Sequence, residues 1–153
     1  MDGEHSNIVD NANEMRLYFS AISENEAFAR TAVAAFITKL NPTVQEITEI
    51  KTAVSEAVTN AIVHGYEGRG HDKRVQLYCR ITGRELYIEV TDEGIGIPDI
   101  KLAMEPTYTS KPEQERGGMG FAFMDAFMDE LNVTSVPGGG VTVAMTKTLG
   151  DGS

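Results

Sequence analysis

Glu56 and Asn60 stand four residues apart in the stretch Ser55-Glu-Ala-Val-Thr-Asn60. In a helix that spacing brings two side chains to one face, one turn apart. A carboxylate there can accept a proton, and an amide oxygen one turn on can ligate Mg2+. At about 100° per residue this face lies opposite Val54 and Val58, so the ordinary alternative is a solvated polar face. Against it, Asn favours caps over helix interiors, and its neighbours Val58, Ala61, Ile62 and Val63 are apolar. Three glycine-bearing turns follow: Asp92-Glu-Gly94-Ile-Gly96, Gly117-Gly118-Met119-Gly120 and Gly138-Gly-Gly140. None is a Walker A loop, and none is the G-x-G-x-x-G dinucleotide fingerprint. Taken singly, such turns usually only reverse the chain.

The elements that would hold these residues are legible. Met15, Leu17, Phe19 and Ala21 alternate with polar residues, which predicts a half-buried strand. Ser23 with Glu26 reads as a capping box opening a helix over 24–40. Thr43 with Glu46 opens a second helix in the same way, running to about His64 and stopping at Gly65. Its apolar stripe is Ile47, Ile50, Val54, Val58 and Ala61. Arg74–Thr82 and Glu85–Thr91 alternate around Gly83-Arg84 and predict a hairpin. Residues 99–103 suit a short helix and 105–118 a long loop. A third helix is expected over Gly120–Glu130 with Phe121, Met124, Phe127 and Leu131 on one face, then strands over Asn132–Val136 and Val141–Thr148. Helices beside hairpins predict an α+β, two-layer α/β sandwich, its sheet mixed or antiparallel with helices on one face. It is not the strand–helix alternation of a doubly wound fold.

The 153 residues suit one domain, here 14–149 behind a loose polar extension over 1–13. The formal charge of −10 argues against a general nucleic-acid binder, which needs a Lys/Arg surplus on some face. It leaves room for an anion held by backbone N–H groups, or for a basic partner. The longest uninterrupted apolar run, Ala32–Ile37, is far short of the ~20 residues of a membrane helix. Met1–Asn13 lacks the apolar stretch of a signal peptide, so a cytoplasmic protein is expected. The lone Cys79 alternates with Leu77 and Ile81 and reads as a buried sheet residue.

Four stretches together resemble a known family: Glu56-Ala-Val-Thr-Asn60, Asp92-Glu-Gly94-Ile-Gly96, Arg116-Gly-Gly118-Met-Gly120-Phe and Gly140-Val-Thr142. In this order and spacing they look like the N box and glycine boxes of the GHKL (Bergerat-fold) ATPases. Ser23-Glu-Asn-Glu26, Phe28-Ala-Arg30, Thr48-Glu-Ile-Lys51 and Thr109-Ser-Lys-Pro112-Glu113 make the sequence similar to the small anti-sigma serine kinases, sporulation branch, over 13–148. Val141 departs from the pattern, since the third glycine box usually reads Gly-Thr; Thr142, one position on, stands in for it.

The resemblance implies a cofactor set and roles. Asp92 would accept from the exocyclic amine of adenine, with Gly94 and Gly96 letting the base approach closely. Asn60 would bind Mg2+, with His64 bordering the phosphates or merely capping the helix end. Gly118, Met119 and Gly120 would offer N–H groups at the start of the third helix to the triphosphate of ATP. Thr109, Ser110 and Lys111 fall in the stretch resembling an ATP lid, Thr142 in the third box. Glu56 resembles the general base that deprotonates an acceptor serine. The implied function is inhibition of a sporulation (sigma-F type) sigma factor of RNA polymerase and phosphorylation of a serine on an anti-anti-sigma factor. The implied assembly is a homodimer, with Met15–Leu40 meeting the twin and the partners, among them Glu24, Asn25 and Arg30. The rival readings are a stress-response (sigma-B type) kinase, a sequestering module that binds nucleotide without transfer, and the detached ATP domain of a histidine kinase.

Overall fold

The computed structural model describes residues 12–65, 70–94, 120–136 and 139–150. The alternation of Met15, Leu17 and Phe19 with polar neighbours builds strand β1 (Asn13–Ala21). Helix α1 (Glu24–Phe36) is followed by a tight 3-10 turn, Thr38–Leu40, rather than continuing to residue 40. Asn41, at φ 52°, turns the chain before Pro42. Asn tolerates this left-handed geometry better than most residues.

Helix α2 (Val44–Asn60) opens on the predicted capping box. The Glu46 N–H donates to Thr43 Oγ1 at 3.0 Å, and the Thr43 N–H donates to Glu46 Oε1 at 2.9 Å. The corresponding box at Ser23 does not form, as Ser23 makes no side-chain cap. The Glu26 carboxylate instead accepts the Ser55 hydroxyl from α2 and pairs with Arg30 at 3.1 Å. A tertiary contact thus overrides a local motif. The helix also ends differently, because Ala61–Gly65 winds into a π turn.

Strands β2 (Gly70–Thr82) and β3 (Glu85–Asp92) form the expected hairpin, with Thr82 opposite Glu85 and Gly83 at φ 60°. Helix α3 (Gly120–Phe127) is shorter than predicted, since β4 (Glu130–Val136) takes Glu130 and Leu131. Strand β5 (Gly140–Thr148) completes a five-stranded sheet of order β1-β2-β3-β5-β4. Every pairing among these strands is antiparallel. The helix predicted over 99–103 and the loop over 105–118 lie outside the described residues.

One face of the sheet (Val75, Leu77, Ile88, Val90, Val143, Met145) packs against Val33 and Ile37 of α1, Ile50, Val54 and Val58 of α2, and Met124 of α3. The two-layer sandwich is therefore the observed architecture. Cys79 lies in this core, and burial pushes its thiol up to about 12, so it is an inert packing residue. The opposite face carries a ladder in which the Arg16 guanidinium lies 4.3 Å over Tyr78 and that of Arg80 4.8 Å over Tyr87. Tyr18, beside it on the edge strand, is 63% exposed. Among the described residues, no helix is long and apolar enough to cross a membrane.

Candidate active site

The polar pair at the end of α2 is met by the start of α3. A Cβ built on Gly120 would stand 3.2 Å from both Asn60 Nδ2 and Glu56 Oε1, and 3.4 Å from Asn60 Oδ1. The first residue of α3 therefore abuts the face shared by Glu56 and Asn60, both half-buried. That face is thus contacted by α3 and not wholly solvated, which accounts for the glycine, since a side chain would press on both groups. The first N–H groups of a helix lack intrahelical partners, so donors of α3 converge near a carboxylate and an amide. If this corner holds ATP as the resemblance implies, Gly120→Ala should weaken its binding by roughly tenfold, about 1.4 kcal/mol, while the Tm moves by a few degrees at most. Fluorescent-nucleotide titration beside a thermal melt checks this.

Asp92, the last residue of β3, is 5% exposed. Burial pushes its carboxyl up to about 6, although the backbone N–H groups of Gly94 (at 2.8 Å) and Val141 both donate to it. Among the described residues these two N–H groups donate to it, and a carboxylate can accept further hydrogen bonds. Gly140 packs onto this corner at φ 93°. A Cβ there would overlap the Asp92 carbonyl oxygen and come within 2.6 Å of Glu93 Cα, so only glycine fits. In the sequence this glycine opens the stretch Gly140-Val-Thr142, which resembles the third glycine box.

The π turn after Asn60 packs against β3 and β5, the two strands that meet at Asp92 and Val141. Such π segments recur at functional sites. Thr142 does not join the corner. It lies opposite Thr91, with the two hydroxyls 3.3 Å apart, whereas Asp92 lies opposite Val141. Strand alternation puts Thr142 on the other face of the sheet from Asp92. Val141, buried, fills the place expected for Thr142. The backbone of His64 lies in the π turn; its side chain, with Gly96, Thr109, Ser110, Lys111, Gly118 and Met119, lies outside the described set. Of the expected partner contacts, Glu24 is exposed, Arg30 is paired with Glu26, and the Asn25 amide donates to the Ser20 carbonyl at 2.8 Å.

These groups fit a Mg-nucleotide by their chemistry. A buried acceptor suits an amine-bearing base, and helix-start donors suit an anion. Among the described residues no cluster of three or more His, Cys, Asp or Glu could cage a metal. Mg2+ needs no such cage, being held commonly by one or two protein oxygens, phosphates and water. Residues 19–147 match the histidine kinase-like ATPase domain family. The chain is 58% identical to the anti-sigma F factor of Oceanobacillus iheyensis, an alignment covering 90% of this chain and 93% of that one. The chain belongs to the anti-sigma F factors of this ATPase family. An anti-sigma F factor from Clostridium novyi is 54% identical over 90% of this chain and 95% of its own.

Solved structures agree on the fold of this anti-sigma F family member. The RsbU and RsbW domains of a Mycobacterium tuberculosis protein superpose with a TM-score of 0.64 at 18% identity, covering 90% of this chain and 32% of that one. The catalytic domain of histidine kinase ThkA gives 0.55 at 16%, covering 88% and 96%. At such identities the likeness concerns the fold alone.

Proposed function

We propose that the protein inhibits a sporulation sigma factor of RNA polymerase and uses ATP to phosphorylate a serine of an anti-anti-sigma factor. The observation that carries this reading is Gly120 seated against Glu56 and Asn60. It supports the reading because a carboxylate suited to accept a proton, an amide suited to ligate a cation and the first N–H group of a helix lie close together there. In this reading Asp92 accepts from the adenine amine and Gly94 and Gly96 serve the base site, while Gly118, Met119 and Gly120 serve the phosphates as N–H donors. The same reading assigns Thr109, Ser110, Lys111 and His64 to the phosphates as further contacts. Asn60 would hold Mg2+, which would neutralise phosphate charge. Glu56 takes the proton of the serine hydroxyl as its oxygen bonds the γ-phosphorus and the bond to the bridging oxygen breaks, leaving ADP. Positioning and electrostatics dominate such transfers, so Glu56 supplies only part of the acceleration.

The assembly is a cytoplasmic homodimer that makes no direct contact with nucleic acid. The twin and the partners meet the region of β1 and α1, including Glu24, Asn25 and Arg30. The charge of −10 suits a sigma factor, whose DNA-binding faces are basic. Gel filtration of the chain with the sporulation sigma factor and ATP should yield one complex whose affinity falls as salt rises. Two separate peaks under all nucleotide conditions would sink the inhibitory half of the reading, and salt-insensitive association would sink the electrostatic account. A module that merely sequestered the sigma factor would have no use for a carboxylate at position 56, which favours the kinase.

A further inference from the structure

Helices α1 and α2 enclose a cleft of about 320 Å3, lined by Arg30, Thr48, Lys51, Thr52, Ser55 and Glu56. The five residues from α2 recur at intervals of three and one, so they form one polar stripe on the side away from the core. Arg30 is already neutralised, since Glu26 pairs with it at 3.1 Å and also accepts the Ser55 hydroxyl. Lys51 is different. Its side chain is half-buried, and it has no hydrogen-bond or ion-pair partner among the described residues. An ammonium partly withdrawn from water gains from an anionic partner. In a chain of net charge −10, this cation opens onto the cleft that ends at Glu56.

Lys51 and Glu56 are five residues apart, a rise of about 7.5 Å along the helix. An extended segment advances about 3.3 Å per residue, so two residues span nearly the same distance. We infer that the cleft receives the acceptor segment of the protein substrate. Lys51 there determines specificity by pairing with a carboxylate within two residues of the acceptor serine. The serine hydroxyl sits at the Glu56 end, and Thr48 and Thr52 offer hydroxyls to the segment's backbone. This inference rests on the kinase reading and adds to it a chemical requirement on the substrate.

The test uses the full chain, Mg-ATP and the purified anti-anti-sigma factor of the same organism. Lys51→Glu should raise the KM for that protein at least tenfold, with kcat and the KM for ATP within about twofold. Lys51→Gln, which only neutralises, should raise it less. Replacing the flanking acidic residue of the substrate by Lys should restore most of the lost kcat/KM with Lys51→Glu and impair transfer by the unaltered chain. An unchanged KM for the protein, a parallel loss of ATP affinity, or no rescue by the charge swap would each overturn the inference. Failure of the unaltered chain to transfer phosphate would instead overturn the kinase reading beneath it. Thermal melts of both variants establish that they are folded, since a solvent-side position should leave Tm unchanged.

Discussion

Replacing Asp92 by Asn should weaken ATP binding by roughly 10- to 100-fold, the worth of a hydrogen bond to a buried charge. The amide that replaces the carboxylate turns an N–H2 donor toward another donor, the adenine amine. The unaltered protein should show the same dependence through pH. With the carboxyl pushed up to about 6 by burial, the acceptor form is lost as pH falls through that value, so affinity should drop about tenfold per pH unit below it. Stability has the opposite sign. The folded-state value stands above the ordinary 3.8, so this group stabilises the nucleotide-free fold at low pH, and the contribution is lost as pH rises through about 6. At pH 8 the Asn variant should therefore melt no lower than the unaltered protein while binding ATP worse. Calorimetric titration across pH 5 to 8, beside melts, checks both signs. A variant that binds ATP normally, or a flat pH profile, would remove Asp92 from the base site.

Glu56→Gln should cut phosphoryl transfer by about 10² or more while leaving the ATP Kd within a few-fold. The substitution keeps the size and one acceptor oxygen but cannot accept the serine proton. It also keeps the contact beneath Gly120, where the Glu56 oxygen lies 3.2 Å from the position a Cβ would take. Single-turnover measurement with saturating ATP and protein substrate isolates the chemical step. Transfer at the unaltered rate would assign the proton to another acceptor. Loss of ATP binding in step with loss of transfer would make Glu56 a nucleotide-positioning group.

Elements whose cause is local are legible in the amino-acid order alone. The Thr43–Glu46 box, the Gly83-Arg84 hairpin and the alternation in β1 and β3 each depend on neighbours within a few residues, and each forms as expected. The failures have long-range causes. Ser23 and Glu26 carry a capping pattern, but Glu26 is drawn to Ser55, 29 residues away. The π turn at Ala61–Gly65 follows helix-compatible residues, so no composition signal marks it. In the site, the pairing of Glu56 with Asn60 follows from helical spacing, and Asp92 from its glycine-rich turn. Thr142 fails for want of strand register, because one residue decides which face of a sheet a side chain occupies. Lys51 sits in a visible polar stripe, but only the packing of α1 turns that stripe into a cleft.

The most direct test of the central claim is transfer of labelled γ-phosphate from ATP to the purified anti-anti-sigma factor by this chain. The account predicts stoichiometric labelling of one serine, acid-stable as a phosphate ester, lost on Glu56→Gln and weakened on Asp92→Asn at limiting ATP. No transfer at any protein concentration would contradict it, and so would an acid-labile label of the kind carried by histidine.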